Sequence, residues 1–211
     1  CAAAACKIRK PPRQAERLFL PIFLHAGVIH LIFNILIQIS LGKEIEQASS
    51  WWRFSIMYIG SGIGGFSFAA LFVPDQVSVG ASASIYGLLG VDFVHLLHRW
   101  KALRDRWSAL SCAIFSAFLY LVFGTLPWID NWAHSGGFFF GLLFGNVFLP
   151  FYEWAGWKRH LGFIFSAALI GISFIVLLTL FYENTDPEFC SWCKFINCIE
   201  YTPGLCDDEF G

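Results

Sequence analysis

Charged side chains are scarce in this sequence. Only 14% of its 211 residues are Asp, Glu, Lys or Arg, whereas 57% are hydrophobic. Soluble domains contain about 25% charged residues, so the apolar excess must face something other than water, and a bilayer is the predicted environment. The sequence also lacks a glycine-rich phosphate loop, a His-Glu-x-x-His motif and a basic surface, and it predicts no cofactor and no nucleic-acid partner.

Six apolar segments have the length that a hydrocarbon core of about 30 Å requires. They cover residues 22–42, 54–73, 81–98, 108–127, 132–152 and 161–182. Several contain Gly, Ser or His, which a helix packed among other helices can use. The predicted fold is an all-α membrane protein, a polytopic helical bundle over residues 18–182, flanked by polar segments at 1–17 and 183–211.

Basic residues are unevenly distributed among the predicted loops. Lys or Arg residues occur in the first, third and fifth loops and are missing from the second and fourth. The positive-inside rule therefore places the odd-numbered loops in the cytoplasm and both ends of the chain in the lumen, although the N-terminal arm is itself basic. The first loop, from Lys43 to Arg53, contains Glu44 and Glu46, which are expected to face water.

The cysteines agree with lumenal ends. Six of the seven lie in the two polar end segments: Cys1, Cys6, Cys190, Cys193, Cys198 and Cys206. An oxidising lumen favours disulfides, which we prefer to a zinc site at the Cys190-x-x-Cys193 pair, and the connectivity stays open. Because no secretory signal opens the chain and its first residue is not Met, we expect it to be part of a longer protein.

A serine and a histidine stand at matching depths in the third and fifth apolar segments. Ser82 and His134 each follow a short lumenal loop, and both segments carry small residues every three or four positions, which predicts that they pack together. A serine hydroxyl becomes nucleophilic when a base such as histidine takes its proton at about 2.6–3.2 Å. The alternatives are a capping or packing serine and a structural histidine.

Two donor-capable side chains share one face at the lumenal end of the first segment. His30 and Asn34 are four residues apart and could donate to the oxyanion that forms in acyl transfer. Their alternative role is ordinary hydrogen bonding between helices.

These residues resemble a known family, the rhomboid intramembrane serine proteases. The resemblance covers the whole apolar region in order and rests on the motifs His25-x-x-x-x-His30-x-x-x-Asn34, Gly80-x-Ser82, and His134-x-x-Gly137-x-x-x-Gly141.

The resemblance implies a Ser82 and His134 catalytic dyad, with an oxyanion hole made by His30, Asn34 and the Ser82 backbone N–H. It also implies that Tyr86 packs against the histidine. Substrates would be single-span membrane proteins, cleaved in or near their transmembrane helices within secretory membranes. The six segments would correspond to the second to seventh of a seven-span rhomboid, so an upstream first span is expected.

The flanking sequence is similar to a different branch, the inactive rhomboids, which escort client membrane proteins without cleaving them. The similar stretches are 19–31, 124–134 and 190–206. In that branch the serine is lost and a proline precedes its position, whereas this chain has Ala81 and Ser82. An active rhomboid-type serine endopeptidase is the leading prediction and a non-catalytic client-binding protein is the alternative. A channel or transporter would predict an internal repeat, which the sequence does not show.

Two further groups of polar residues give weaker indications of a metal site or a catalytic role. Asp92, His95 and His98 are spaced by three and could suggest a metal, but their position beside Arg99 favours a solvated or headgroup-facing cluster, and no metal is predicted. Asp130 precedes His134 by four residues and could orient it, although a carboxylate in a wet loop needs no such role.

Overall fold

A computed structural model describes residues 16–73, 77–123, 129–150, 156–183 and 193. Within these ranges the chain is helical and contains no strand, which confirms the predicted all-α bundle. A short helix, α1 (Glu16–Phe19), and a 3-10 turn (Leu20–Phe23) come first. The long helices are α2 (Val28–Ser49), α3 (Trp51–Phe72), α4 (Ser82–His98), α5 (Arg106–Phe123), α6 (Asn131–Phe148) and α7 (Gly156–Glu183).

The junction between α2 and α3 differs from the prediction. Instead of a loop from Lys43 to Arg53, both helices continue and only Ser50 separates them. Ser50 has a φ of 131°, in a region that favours glycine, and this conformation ends α2. The prediction of a loop was therefore wrong, because Glu44 and Glu46 lie on the last turns of α2, where both side chains are nevertheless exposed as expected. No Gly or Pro marks this break in the sequence.

Glycines bring α4 and α6 into backbone contact. A Cβ added at Gly141 would meet the carbonyl oxygen of Gly87, and one at Gly137 would meet the carbonyl oxygen of Ala83. A Cβ at Gly90 would meet the carbonyl oxygen of Phe138. The predicted packing of the third segment on the fifth is confirmed, and it holds the N-terminal ends of both helices side by side.

Aromatic and aliphatic side chains complete the core around these two helices. Phe140 of α6 is 0% exposed, and its ring centroid lies 4.6 Å from that of Phe174 on α7 and 6.4 Å from that of Phe68 on α3. Met57 of α3 and Leu88 of α4 are also fully buried. The core therefore lies between α3, α4 and α6, with α7 packed against one side.

The outer helices present apolar side chains outward. Ile29 and Phe33 of α2 are 73% and 60% exposed, and Phe115 and Phe118 of α5 are each 60% exposed. By length and composition, three helical stretches in the described part of the chain could cross a membrane: Val28–Ser49, Trp51–Phe72 and Gly156–Tyr182. An exposed apolar surface of this extent supports a membrane protein, with these faces toward lipid.

Most of the predicted polar end segments, 1–17 and 183–211, lies outside the described residues, and so do all their cysteines except Cys193. Cys193 is buried, and its carbonyl oxygen accepts a hydrogen bond from the Trp132 indole N–H at 2.9 Å.

Candidate active site

Ser82 and His134 are in hydrogen-bonding contact. Ser82 begins α4, His134 lies in the first turn of α6, and the distance from Ser82 Oγ to His134 Nε2 is 2.9 Å. His134 is only 5% exposed. The glycine packing of α4 on α6 sets this distance, because it fixes the separation of the two helix ends.

An aromatic ring holds the histidine from one face. The Tyr86 ring, one turn into α4, stacks on His134 with centroids 3.9 Å apart and an interplanar angle of 8°. On the other side of the imidazole, Nδ1 has no hydrogen-bond partner within the described ranges. The ring orientation therefore depends on Tyr86 and Ser82.

Asp130 caps α6 and does not orient the histidine. Its Oδ1 accepts hydrogen bonds from the backbone N–H groups of Trp132 and Ala133, each at 3.0 Å. The second carboxylate oxygen accepts from the Ser78 hydroxyl. This is the hydrogen bonding of an N-cap residue, and it links the loop before α4 to the start of α6.

The turn before Ser82 requires glycine. Gly80 has a φ of 129°, and a Cβ there would lie 2.8 Å from His30 Cε1. The Gly80 N–H donates to the Pro21 carbonyl oxygen at 2.9 Å, and the Ala81 N–H donates to His25 Nε2 at 3.3 Å. These contacts attach the segment before α2 to the loop that carries Ser82.

His30 and Asn34, the side chains predicted to donate to the oxyanion, make different contacts. Asn34 is 5% exposed, and its Nδ2 donates to the His30 carbonyl oxygen at 2.8 Å, on its own helix. One of its two amide N–H groups is therefore already used. The His30 ring packs beside Gly80 and lies edge-on to the His25 ring, with centroids 5.4 Å apart.

The opposite end of α4 differs from the sequence-based prediction. His95 and His98 are each 2% exposed, so the prediction of a solvated cluster was wrong for both. His98 Nε2 lies 3.3 Å from Asn146 Oδ1. His95 instead has a ring nitrogen within 4.8 Å of carboxylate oxygens of Asp92 and Glu44. Sequence spacing could not find Glu44, because it comes from a different helix.

Comparison with known proteins identifies the fold. A sequence profile of the Rhomboid domain matches residues 12–151. The chain belongs to the rhomboid family. It is 36% identical over 200 residues to inactive rhomboid protein 1 of Danio rerio and of Homo sapiens, and 35% identical over 201 residues to inactive rhomboid protein 2 of Homo sapiens. Each match covers 93% of this chain, which spans 23% of the length of these curated relatives.

These relatives correct the predicted activity. The prediction of a rhomboid-type serine endopeptidase is wrong, because these relatives are named inactive rhomboid proteins. A Ser82 to His134 hydrogen bond does not suffice for proteolysis, since acyl transfer also requires free donors aimed at the oxyanion. One of the two N–H groups of the Asn34 amide, predicted to be such a donor, is bonded to the backbone of its own helix.

Proposed function

We propose that this chain is the membrane domain of a non-catalytic rhomboid that binds client membrane proteins and escorts them. The observation that carries the proposal is 36% identity over 93% of the chain to proteins named inactive rhomboid. The clients are single-span transmembrane proteins of the secretory pathway. Both ends of the chain lie in the lumen, where the terminal cysteines form disulfides.

The outer surface of the bundle supports client binding within the bilayer. Ile29 and Phe33 on α2, together with Phe115 and Phe118 on α5, are more than half exposed. Association of helices in lipid depends on van der Waals packing and on a few polar contacts, so an apolar outer face suits a client helix. Lipid covers the same faces when no client is bound.

In this proposal Ser82 and His134 have a structural role. Their hydrogen bond joins the lumenal ends of α4 and α6, and the Tyr86 ring covers the imidazole. A hydrogen bond between transmembrane helices contributes about 0.6 to 2 kcal/mol, which is enough to retain the pair without catalysis.

The test uses the full-length protein in cells from which its own gene has been removed. Surface biotinylation and quantitative proteomics measure which single-span proteins reach the cell surface, before and after rescue with wild type or Ser82→Ala at matched expression. We expect both to restore the same set of proteins. If only wild type restores delivery, or if it releases ectodomain fragments that Ser82→Ala does not, the escort proposal fails.

A further inference from the structure

A second polar cluster lies toward the other end of α4 from Ser82. Glu44 on α2 meets Asp92 and His95 on α4, and each offers one donor atom within 4.8 Å of the others. His95 is 2% exposed, Asp92 is half-buried and Glu44 is exposed. Thirteen residues of helix, or about 20 Å, separate His95 from Ser82, so the cluster takes no part in the Ser82 and His134 pair.

The ionisable groups of this cluster need a partner. Asp92 and His95 are one turn apart on one face of α4, a central helix of the bundle, where buried ionisable groups are costly. Within the described ranges, no hydrogen bond reaches the buried His95 ring or the Asp92 carboxylate. The imidazole of this buried residue therefore lies within 4.8 Å of two carboxylates.

Arg99 offsets only part of the negative charge. Its Nη2 lies 3.8 Å from Glu44 Oε1, a long ion pair between side chains that are 39% and 60% exposed. Solvent screens a pair of this kind, and its contribution is small. The guanidinium also interacts electrostatically with Asp92 and His95, so a metal ion would have to displace it from the cluster.

We propose that Glu44, Asp92 and His95 form a binding site for a divalent transition-metal ion, of which Zn²⁺ fits best. Zn²⁺ accepts both imidazole nitrogen and carboxylate oxygen, whereas Mg²⁺ and Ca²⁺ prefer oxygen alone. Tetrahedral bonds of about 2.0–2.1 Å place donor atoms about 3.3 Å apart. The three donors must therefore move closer by about 1.5 Å at most, which the exposed Glu44 side chain allows.

The ion would join two helices that are otherwise loosely associated. It would connect α2, whose outer face is largely exposed, to the buried helix α4, and a fourth coordination position would stay open to water. This site does not depend on the client-escort proposal, since it involves neither Ser82 nor the lumenal end of the bundle.

The first experiment titrates purified full-length protein in lipid nanodiscs, freed of metal, with Co²⁺ and then with competing Zn²⁺. We expect one Co²⁺ per chain, with the visible absorption of a four- or five-coordinate ion that Zn²⁺ abolishes. His95→Gln and Glu44→Gln should each weaken Co²⁺ binding by at least about 100-fold, because each removes a direct ligand and loss of an outer-shell partner alone already costs about 10- to 100-fold. The matched control Glu46→Gln, an exposed carboxylate on the same helix end, should bind as wild type does.

A second variant separates ligand loss from misfolding. In His95→Cys a thiolate replaces the imidazole, so we expect Co²⁺ binding to persist with an added thiolate-to-cobalt charge-transfer band. Absence of saturable Co²⁺ binding by wild type would overturn the proposal. Unchanged affinity in His95→Gln, or a folded His95→Cys that shows no charge-transfer band, would overturn it equally.

Discussion

The inner helices of this protein are packed very differently from the outer ones. In α4 and α6 the backbones touch, so that a Cβ at Gly137 or Gly141 would meet a carbonyl oxygen of the facing helix. On α2 and α5 most apolar side chains point outward, as Ile29 and Phe118 do. Ser82 and His134 lie on the inner helices, whereas His30 and Asn34 lie on α2.

This difference explains how the Ser82 and His134 contact can form independently of the predicted oxyanion donors. The 2.9 Å contact between Ser82 and His134 follows from the fixed separation of α4 and α6, which the glycines set. The predicted oxyanion donors depend on the outer helix α2, where the Asn34 amide bonds to the His30 carbonyl oxygen. The packing of α4 on α6 therefore maintains the Ser82 and His134 contact independently of the donors on α2.

The largest difference in the free energy of unfolding is expected between Ala substitutions of two phenylalanines, one buried and one exposed. Phe140→Ala removes a fully buried ring that contacts Phe174, and it should lower the free energy of unfolding by about 3 to 5 kcal/mol. Phe118→Ala, on the exposed face of α5, should change it by less than about 0.5 kcal/mol. Reversible unfolding in mixed micelles measures both, and equal losses would contradict the division into inner and outer helices.

The next largest difference in stability is expected between Ala substitutions of two glycines. In Gly141→Ala the new Cβ meets the backbone of Gly87, which should cost about 1 to 3 kcal/mol and push α6 away from α4. In Gly171→Ala the Cβ enters open space, so stability should stay the same or rise by up to about 1 kcal/mol. Thermal unfolding in detergent distinguishes them. If Gly141→Ala proved as stable as Gly171→Ala, backbone contact would not be what fixes the two helix ends.

The Ser82 and His134 pair should contribute modestly to stability. His134→Ala loses the Tyr86 stack as well as the hydrogen bond and should cost about 1 to 2 kcal/mol, whereas Ser82→Ala should cost about 0.6 kcal/mol. A double-mutant cycle measures their coupling, which we expect near 0.6 kcal/mol. A coupling of zero would rule out a structural role for this hydrogen bond.

The smallest change in the free energy of unfolding is expected for a substitution of Asn34. Its amide bonds to a carbonyl oxygen of its own helix, so Asn34→Leu, which keeps the branched shape and the number of side-chain heavy atoms, should change the free energy of unfolding by less than about 0.6 kcal/mol. The same unfolding assay measures it. A loss of 2 kcal/mol or more would mean that Asn34 joins α2 to the inner helices.

The sequence predicted the parts of this fold that depend on local patterns. Long apolar runs located the helices, and the regular glycines predicted that α4 packs on α6. Two short loops of similar depth placed Ser82 and His134 near each other. Each of these predictions needed only the residues within one segment or the spacing between segments.

Local sequence patterns could not predict the contacts between segments that are far apart in the chain. Nothing local shows that Ser50 alone separates α2 from α3, or that Glu44 therefore reaches Asp92 and His95. The spacing of α4 grouped His98 with His95, whereas the structure pairs His98 with Asn146 of α6. The activity was misjudged because the Ser82 and His134 motif is intact, whereas the similarity to proteins named inactive rhomboid extends over 93% of the chain.

The central claim, a rhomboid without proteolytic activity, is tested most directly by a cleavage assay. Purified full-length protein in lipid nanodiscs is mixed with a fluorogenic single-span substrate, and product is measured for wild type, Ser82→Ala and His134→Ala. The account predicts that all three give the background rate. Product from wild type that disappears in both variants would contradict it.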